Sequence, residues 1–354
     1  MTTDTTSTGR VVVAMATPIE AELVARIEAV DDRLEVLYQP DLLPPPRFPG
    51  DHRGIGSFRR SPGDEGHWMA MLTSAEVLFG LPGDSPEGLA DAVRAGSRLR
   101  WVQATAGGAG EQVRAAGLTG AELNRVMVTR AGGVHTGPLA EFAMFGLLAF
   151  TKGLPRLLAD TQTRHWDHYP MAELRDRTVL VIGLGSIGVE VARLARAFGM
   201  RVIAVNTTGH TDCPYVDEIR PARFLGDLLP VAHGVVLTLP LSAQTRGLID
   251  AAAISRMRTD AILVNVGRGG VVDEPALIQA LEEGRLAGAA LDVFATEPLP
   301  PENALWGLRN VLVSPHTAAL SWRENHRIVD LFIDNLRRYL DGEQLRHRVD
   351  PVLL

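Results

Sequence analysis

Apolar residues along this chain fall into short unbroken runs, separated by stretches where they recur every three or four positions. The runs read as buried strands and the periodic stretches as helices. Residues 11–16 (VVVAMA), 34–38, 76–81, 99–105 and 126–129 predict the strands of a first, parallel sheet, with an amphipathic helix over 19–30. Residues 178–182 (TVLVI) open a second set, continued by 201–205, 234–239, 261–266, 287–293 and 311–314. Helices are expected over 248–256 and 273–283, and a last one over 324–340 sets Ile328, Leu331, Phe332, Leu336 and Leu340 at core spacing. Strand and helix alternate in both halves without a repeat, which predicts an α/β chain with parallel sheets.

Two stretches depart from this pattern. Residues 40–67 are dense in Pro, Gly and Arg and too long for a plain connector. A functional flap and a disordered excursion both stay open for them. Residues 138–150 (PLAEFAMFGLLAF) are apolar almost all round, with Glu141 the one charge. A helix without a polar face is expected to be buried on every side, as a crossover between domains and part of a subunit interface.

Between the strands at 178–182 and 201–205 stands Gly183-x-Gly185-x-x-Gly188, followed by Val189, Ala192, Leu194, Ala195 and Phe198 on an expected packed helix. This is the order of a dinucleotide-binding βαβ unit. Gly183 permits the tight turn, Gly185 lets a pyrophosphate approach the backbone, and Gly188 lets helix and strand pack closely. The phosphates then sit on the helix N-terminus. At the end of the second strand, 18 positions after Gly188, an NAD-selecting carboxylate is usual, but Asn206 stands there, followed by Thr207 and Thr208. Neither a carboxylate excludes a 2′-phosphate nor an Arg clamps it, so NAD and NADP are both expected cofactors.

Composition narrows the function further. A chain of 354 residues has room for two domains, and its net charge of −7 speaks against nucleic acid as a partner. No apolar run reaches the roughly 20 residues of a membrane span, and residues 1–10 read as a polar, frayed tail without a signal-peptide core. The lone Cys213 excludes an internal disulfide or a Cys-based zinc cluster and suits a reducing cytoplasm. Lys152 is the only lysine and lies outside any P-loop frame, so neither P-loop nor Schiff-base chemistry is expected and a catalytic cation must be Arg or His; no metal site is expected.

Ligands of open parallel sheets bind beyond the carboxyl ends of the strands. There the chain carries Gly267-Arg268-Gly269-Gly270, Phe294-Ala295-Thr296-Glu297-Pro298 and Pro315-His316-Thr317-Ala318. A guanidinium can hold a carboxylate with two hydrogen bonds, and a carboxylate beside an imidazole favours its protonated form and fixes its tautomer. Beside a hydride carrier, that set suits reduction of a 2-oxo acid.

With Val264-Asn265-Val266-Gly267-Arg268-Gly269, Val272-Asp273-Glu274, Leu291-Asp292-Val293-Phe294, Glu297-Pro298-Leu299-Pro300 and Ser314-Pro315-His316-Thr317-Ala318, residues 98–341 resemble the D-isomer-specific 2-hydroxyacid dehydrogenase family. The resemblance implies two Rossmann-like doubly wound parallel-sheet domains with a cleft between them. The outer domain would take 11–130 with 320–354, and the dinucleotide domain 131–319. It further implies that Arg268 holds the substrate, that Glu297 pairs with His316, and that His316 donates and accepts the proton. Ser186 and Ile187 would meet the pyrophosphate, Asn206 and Thr207 the adenosine ribose, and Leu239 and Pro240 the adenine side. Val266, Gly267 and Arg268 would meet the nicotinamide ribose, and Asp292 the carboxamide, with His316 and Ala318 alongside. Ala106, Gly107 and Gly108 would offer N–H groups to the substrate carboxylate; Gly108 and Ala109 replace the family's usual Val and Asp in this loop. The expected protein is a homodimeric NAD(P)-dependent oxidoreductase of small 2-oxo and 2-hydroxy acids. The alternative is an NAD(H)-sensing, corepressor-like binding protein on the same fold; Glu297 argues against a formate-type site, where a Gln would stand.

Overall fold

The computed structural model describes residues 10–350, so the tail expected over 1–10 lies, but for Arg10, outside the described residues. The chain forms two compact units. One comprises the chain up to His135 together with the part from Leu320 on; the other is Thr136–Ala319.

The first unit is a five-stranded parallel sheet of β1 (Val11–Met15), β2 (Leu34–Leu37), β3 (Val77–Phe79), β4 (Trp101–Gln103) and β5 (Met127–Thr129), in the order β2-β1-β3-β4-β5. Its central strands are covered on both faces, which is why they read as continuous apolar runs rather than as an alternation. The helix Glu324–Leu340 returns from the far end of the chain and buries Phe332 against Trp101 and Phe79, with both ring pairs 5.0 Å apart. Its buried Asn335 reaches Gln103 Oε1 at 3.3 Å and accepts from Arg346 N at 2.7 Å, which ties down the last stretch of chain.

The Pro/Gly/Arg-rich segment is ordered, and its reading as a disordered excursion is corrected. A helix over Pro62–Ser74 begins inside it, and buried Asp51 accepts from Arg47 N, Arg47 Nε and Gly54 N at 2.9, 2.6 and 3.1 Å. The Arg47 guanidinium holds the Asp51 carboxyl well below the usual carboxylate range. This pin therefore persists at neutral pH and is lost only as pH falls through that lowered value. Few apolar residues mark the segment; Leu42 and Leu43 anchor it in the core, and polar ties such as that of Asp51 fix the rest.

The second unit is a seven-stranded parallel sheet in the order β12-β11-β10-β9-β6-β7-β8. Its strands are β6 (Thr178–Ile182), β7 (Arg201–Asn206), β8 (Glu218–Pro221), β9 (Gly234–Leu237), β10 (Ile262–Asn265), β11 (Gly288–Leu291) and β12 (Val311–Val313). The chain runs outward from β6 through β7 to β8, then returns to β9 on the other side of β6. That reversal creates a switch point at the carboxyl ends of β6 and β9. Strand β8 escapes the hydrophobic pattern because it is a short edge strand, EIRP, with two charges and a terminal proline.

The apolar helix extends over Thr136–Thr151 and packs Ala140, Ala143, Met144 and Leu147 into the core of this unit. It is not buried on every side. Glu141 is exposed and Phe145 is 49% exposed, one turn apart on a single stripe. Phe198 also departs from expectation, being 42% exposed at the end of the helix Ser186–Ala197, whose core face is instead Val191, Ala192 and Ala195. Among the described residues no single helix is long and apolar enough to cross a membrane. The bent pair Thr136–Thr151 and Leu154–Thr163 passes by length and composition, but the first of these helices is a core element here.

Candidate active site

The glycine turn leaves β6 at Gly183, whose φ of +100° is open to glycine and which lies against the β9 loop; a Cβ there would stand 2.8 Å from Leu239 Cδ2. A Cβ on Gly188 would come within 2.0 Å of the Gly183 carbonyl, so helix Ser186–Ala197 can start this close to the strand only with glycine. Gly185 differs: nothing lies within 4 Å of its Cβ position, and packing does not demand a glycine. What it leaves is open backbone at a helix N-terminus with no side-chain cap, where Gly185 and Ser186 are exposed and Ile187 half-buried. Uncapped N–H groups in an open approach fit a dinucleotide's pyrophosphate.

Asn206 ends β7, but its amide is engaged in its own turn. Oδ1 accepts from Gly209 N at 2.6 Å and from Thr208 Oγ1 at 3.3 Å, and Nδ2 donates to His210 O at 2.8 Å. Thr207 is exposed beside it. The sequence shows an amide in the carboxylate's place; only the folded turn shows that the same amide closes the loop.

Arg268 sits in a loop clamped at both ends by buried Asn265, which accepts from Gly267 N at 3.0 Å and donates to Arg268 O at 3.0 Å. The flanking glycines are forced by backbone neighbours. A Cβ on Gly267 would lie 2.5 Å from Leu239 O, and one on Gly269 would lie 1.9 Å from Phe294 O. These close approaches draw the Arg268 loop against the Leu239-Pro240 loop on one side and the Phe294–Glu297 loop on the other. Val266 is buried beneath it.

Glu297 accepts from Phe294 N through Oε1 at 3.0 Å and meets His316 Nδ1 through Oε2 at 2.7 Å. Both side chains stay accessible, 36% and 48% exposed. With Nδ1 spent on the carboxylate, Nε2 is the ring atom left for a substrate. His316 holds φ +54°, a left-handed backbone that costs about 1–3 kcal/mol in a non-glycine residue and persists only when its surroundings impose it. Those surroundings are identifiable. His316 N donates to Asp292 O at 3.0 Å, and Asp292 Oδ1 accepts from Ser314 Oγ, Thr317 N and Ala318 N at 2.6, 2.9 and 2.9 Å.

Asp292, expected at the carboxamide, is thus a buried clamp on 314–318. Glu274 is a second brace, accepting from Ala295 N at 2.9 Å and Asn303 Nδ2 at 3.0 Å, and so fixing the loop that carries Glu297. The sequence displays Glu274 within a motif but gives no hint of this work, because its partners lie 21 and 29 residues away.

In the other unit, Ala106, Gly107 and Gly108 follow β4 at the carboxyl edge of its sheet. Ala106 O accepts from Ala131 N at 3.1 Å and Gly107 O from Arg130 Nη1 at 3.2 Å. Among the described residues their three N–H groups make no hydrogen bond, and Gly108 is exposed.

Residues 144–318 match the model of the D-isomer specific 2-hydroxyacid dehydrogenase NAD binding domain. An (S)-sulfolactate dehydrogenase of Chromohalobacter salexigens is 35% identical over 221 residues, 61% of this chain and 70% of that one. The chain belongs to the D-isomer specific 2-hydroxyacid dehydrogenase family. A glyoxylate reductase of Korarchaeum cryptofilum is 36% identical over 234 residues, 62% of this chain and 67% of that one. Across nearly the whole length, a D-isomer specific 2-hydroxyacid dehydrogenase of Xanthobacter autotrophicus, solved in complex with NADPH and MES, superposes with a TM-score of 0.75 at 27% identity, covering 98% of this chain and 99% of that one. These relatives are dehydrogenases and reductases, and the chain is an NAD(P)-dependent oxidoreductase of 2-oxo and 2-hydroxy acids.

Proposed function

We propose that this chain reduces a small 2-oxo acid, with His316 as proton donor, Glu297 as its partner and Arg268 as the group that holds the substrate. The 2.7 Å contact between His316 Nδ1 and Glu297, beside the Arg268 loop, carries this reading. Bound NAD(P)H supplies the hydride. The N–H groups at the start of helix Ser186–Ala197 hold its pyrophosphate, the Asn206 turn its adenosine ribose, and the Leu239-Pro240 and Val266-Gly267 segments its two ends. Asp292 and Ala318 line the nicotinamide end. Arg268 grips the acid by its carboxylate and carbonyl oxygens, and the N–H groups of Ala106, Gly107 and Gly108 take the carboxylate. His316 Nε2 delivers its proton to the carbonyl oxygen as that oxygen gains charge, and Glu297 stabilises the protonated ring beforehand. In the reverse direction the neutral ring takes the hydroxyl proton.

The relatives named for glyoxylate and sulfolactate make glyoxylate and 3-sulfopyruvate the first acids to try. A steady-state screen of 2-oxo acids with NADH and NADPH in parallel tests the assignment. Oxidation of neither cofactor with any 2-oxo acid would overturn it.

Cofactor choice follows from the Asn206 turn. Without a carboxylate the repulsion that rejects a 2′-phosphate is missing, so both cofactors should work. Because Asn206 already spends its amide on the turn and no Arg follows within it, any NADPH preference should be modest, roughly 5- to 30-fold. Asn206→Asp keeps an acceptor for Gly209 N, gives up the bond to His210 O and places a charge by the ribose. It should swing the NADPH to NADH ratio of kcat/KM toward NADH. Wild-type rejection of NADPH by more than ~10³-fold, or an unchanged ratio in the variant, would remove this residue from the 2′ position.

We place the enzyme in the cytoplasm as a homodimer. The lone Cys213 supports the first, and the second rests on the apolar surface of the second unit, where Phe145, Leu158 and Trp166 are 49%, 55% and 86% exposed. Since Phe145 already faces solvent in the single chain, Phe145→Glu should dissociate the dimer without unfolding the protomer. Sedimentation at micromolar concentration checks this; a monomeric wild type or an unaffected variant would contradict it.

A further inference from the structure

At the carboxyl edge of the five-stranded sheet stands a second histidine–carboxylate pair, which the reaction as described does not use. His135 Nε2 lies 3.0 Å from Glu324 Oε1, and the two side chains are only 14% and 4% exposed. Glu324 opens the helix Glu324–Leu340. Its other oxygen, Oε2, is buried without a hydrogen-bond partner among the described residues, beneath Gly50, where a Cβ would stand 3.0 Å from it. A buried carboxylate this short of donors is costly unless a cation compensates it, and the ring of His135 is the group placed to do so.

The opposite ring nitrogen faces the loop at 106–108. A Cβ added to Gly107 would lie 3.3 Å from His135 Nδ1, so the loop approaches the ring closely at this glycine. Among the described residues Nδ1 makes no hydrogen bond. Arg130 meanwhile takes the Gly107 carbonyl, and the loop's N–H groups remain unengaged. With the His135 ring protonated against Glu324, one edge of the sheet gathers three backbone N–H groups and an imidazolium N–H. All are donors, and together they suit a carboxylate.

From this juxtaposition we infer that His135 is a further substrate-binding residue, its Nδ1–H joining the N–H groups of Ala106, Gly107 and Gly108 on the carboxylate of the 2-oxo acid, with Glu324 holding the ring in place. The inference rests on the reading of 106–108 as the carboxylate loop. Two amide substitutions separate it from a purely structural tie between His135 and Glu324. His135→Asn puts an amide near the position of Nδ1, whereas His135→Gln puts one near Nε2 and preserves the contact with Glu324.

The assay is steady-state reduction of glyoxylate by NADPH with the full chain, or of the fastest 2-oxo acid in the screen above. It is accompanied by NADPH titration and thermal melting. His135→Gln should raise KM roughly 10- to 100-fold, the scale of one hydrogen bond to a charged group, with kcat little changed and NADPH binding intact. His135→Asn should raise it less. Glu324→Gln, which keeps an acceptor for Nε2 but removes the charge, should fall between them and guards against a His135 variant that fails to fold. A wild-type KM in His135→Gln overturns the inference, as does the reverse order with KM following the melting temperature. A wild type that turns over no 2-oxo acid sinks the catalytic reading as well; turnover in the wild type with KM unmoved in His135→Gln sinks this inference alone.

Discussion

His316→Asn is expected to lower kcat/KM for 2-oxo acid reduction by at least ~10²-fold while leaving cofactor binding intact. Asn is the informative replacement because it tolerates the left-handed backbone that His316 adopts at φ +54°. Its amide can also still donate to Glu297, so the loop clamped by Asp292 should keep its shape. What disappears is the proton on Nε2. In the wild type, reduction should fall as pH rises and the ring loses that proton, whereas oxidation of the hydroxy acid should fall as pH drops and the ring gains it. Both limbs should vanish in His316→Asn. Glu297→Gln keeps a hydrogen bond to the ring but removes its counter-ion, so reduction should suffer less than in His316→Asn and more than in the wild type. Near-normal turnover by His316→Asn, or a parallel pH slope in the two directions, would take His316 out of the proton transfer.

The second large effect is expected at Arg268. Arg268→Ala should cost roughly 10²- to 10³-fold in kcat/KM, the scale of a paired set of charge-assisted hydrogen bonds, and the loss should appear in both KM and kcat. Arg268→Lys should recover only part of it, since an ammonium carries the charge without the fork. The loop itself should survive either change. Its conformation is set by the two hydrogen bonds of Asn265 and by the contacts of Gly267 and Gly269 with neighbouring backbones; the guanidinium adds a bond from Nη1 to Gly267 O at 2.8 Å, whose loss should cost little beside them. Unchanged melting temperatures beside lost activity would therefore place the effect at the substrate. An unaltered KM and kcat in Arg268→Ala would mean that the carboxylate is held elsewhere.

Much of this site was legible before any coordinates, and the reason is local. Strand, glycine turn, helix and strand follow one another in residues 178–206, and each is set by the spacing of apolar residues and glycines within a few turns of chain. In a parallel sheet every strand ends on the same edge, so the sequence alone brings Arg268, Glu297 and His316 to one edge of the second unit. That Glu297 pairs with His316 was implied by the family resemblance, and the fold sets the two 2.7 Å apart. What sequence could not determine depends on partners far apart in the chain. Strand β8 exists because β7 offers it an edge, and Phe145 is exposed because only one side of its helix has a sheet to cover. The segment at 40–67 is ordered by Asp51 and by His52 reaching Asn325, 273 residues away. Asp292 grips a loop more than 20 residues on, and His135 finds Glu324 across 189 residues. Periodicity records which face of an element is buried. It carries no record of which distant side chain completes a hydrogen bond, and in this protein those bonds aim the loops that carry Glu297 and His316.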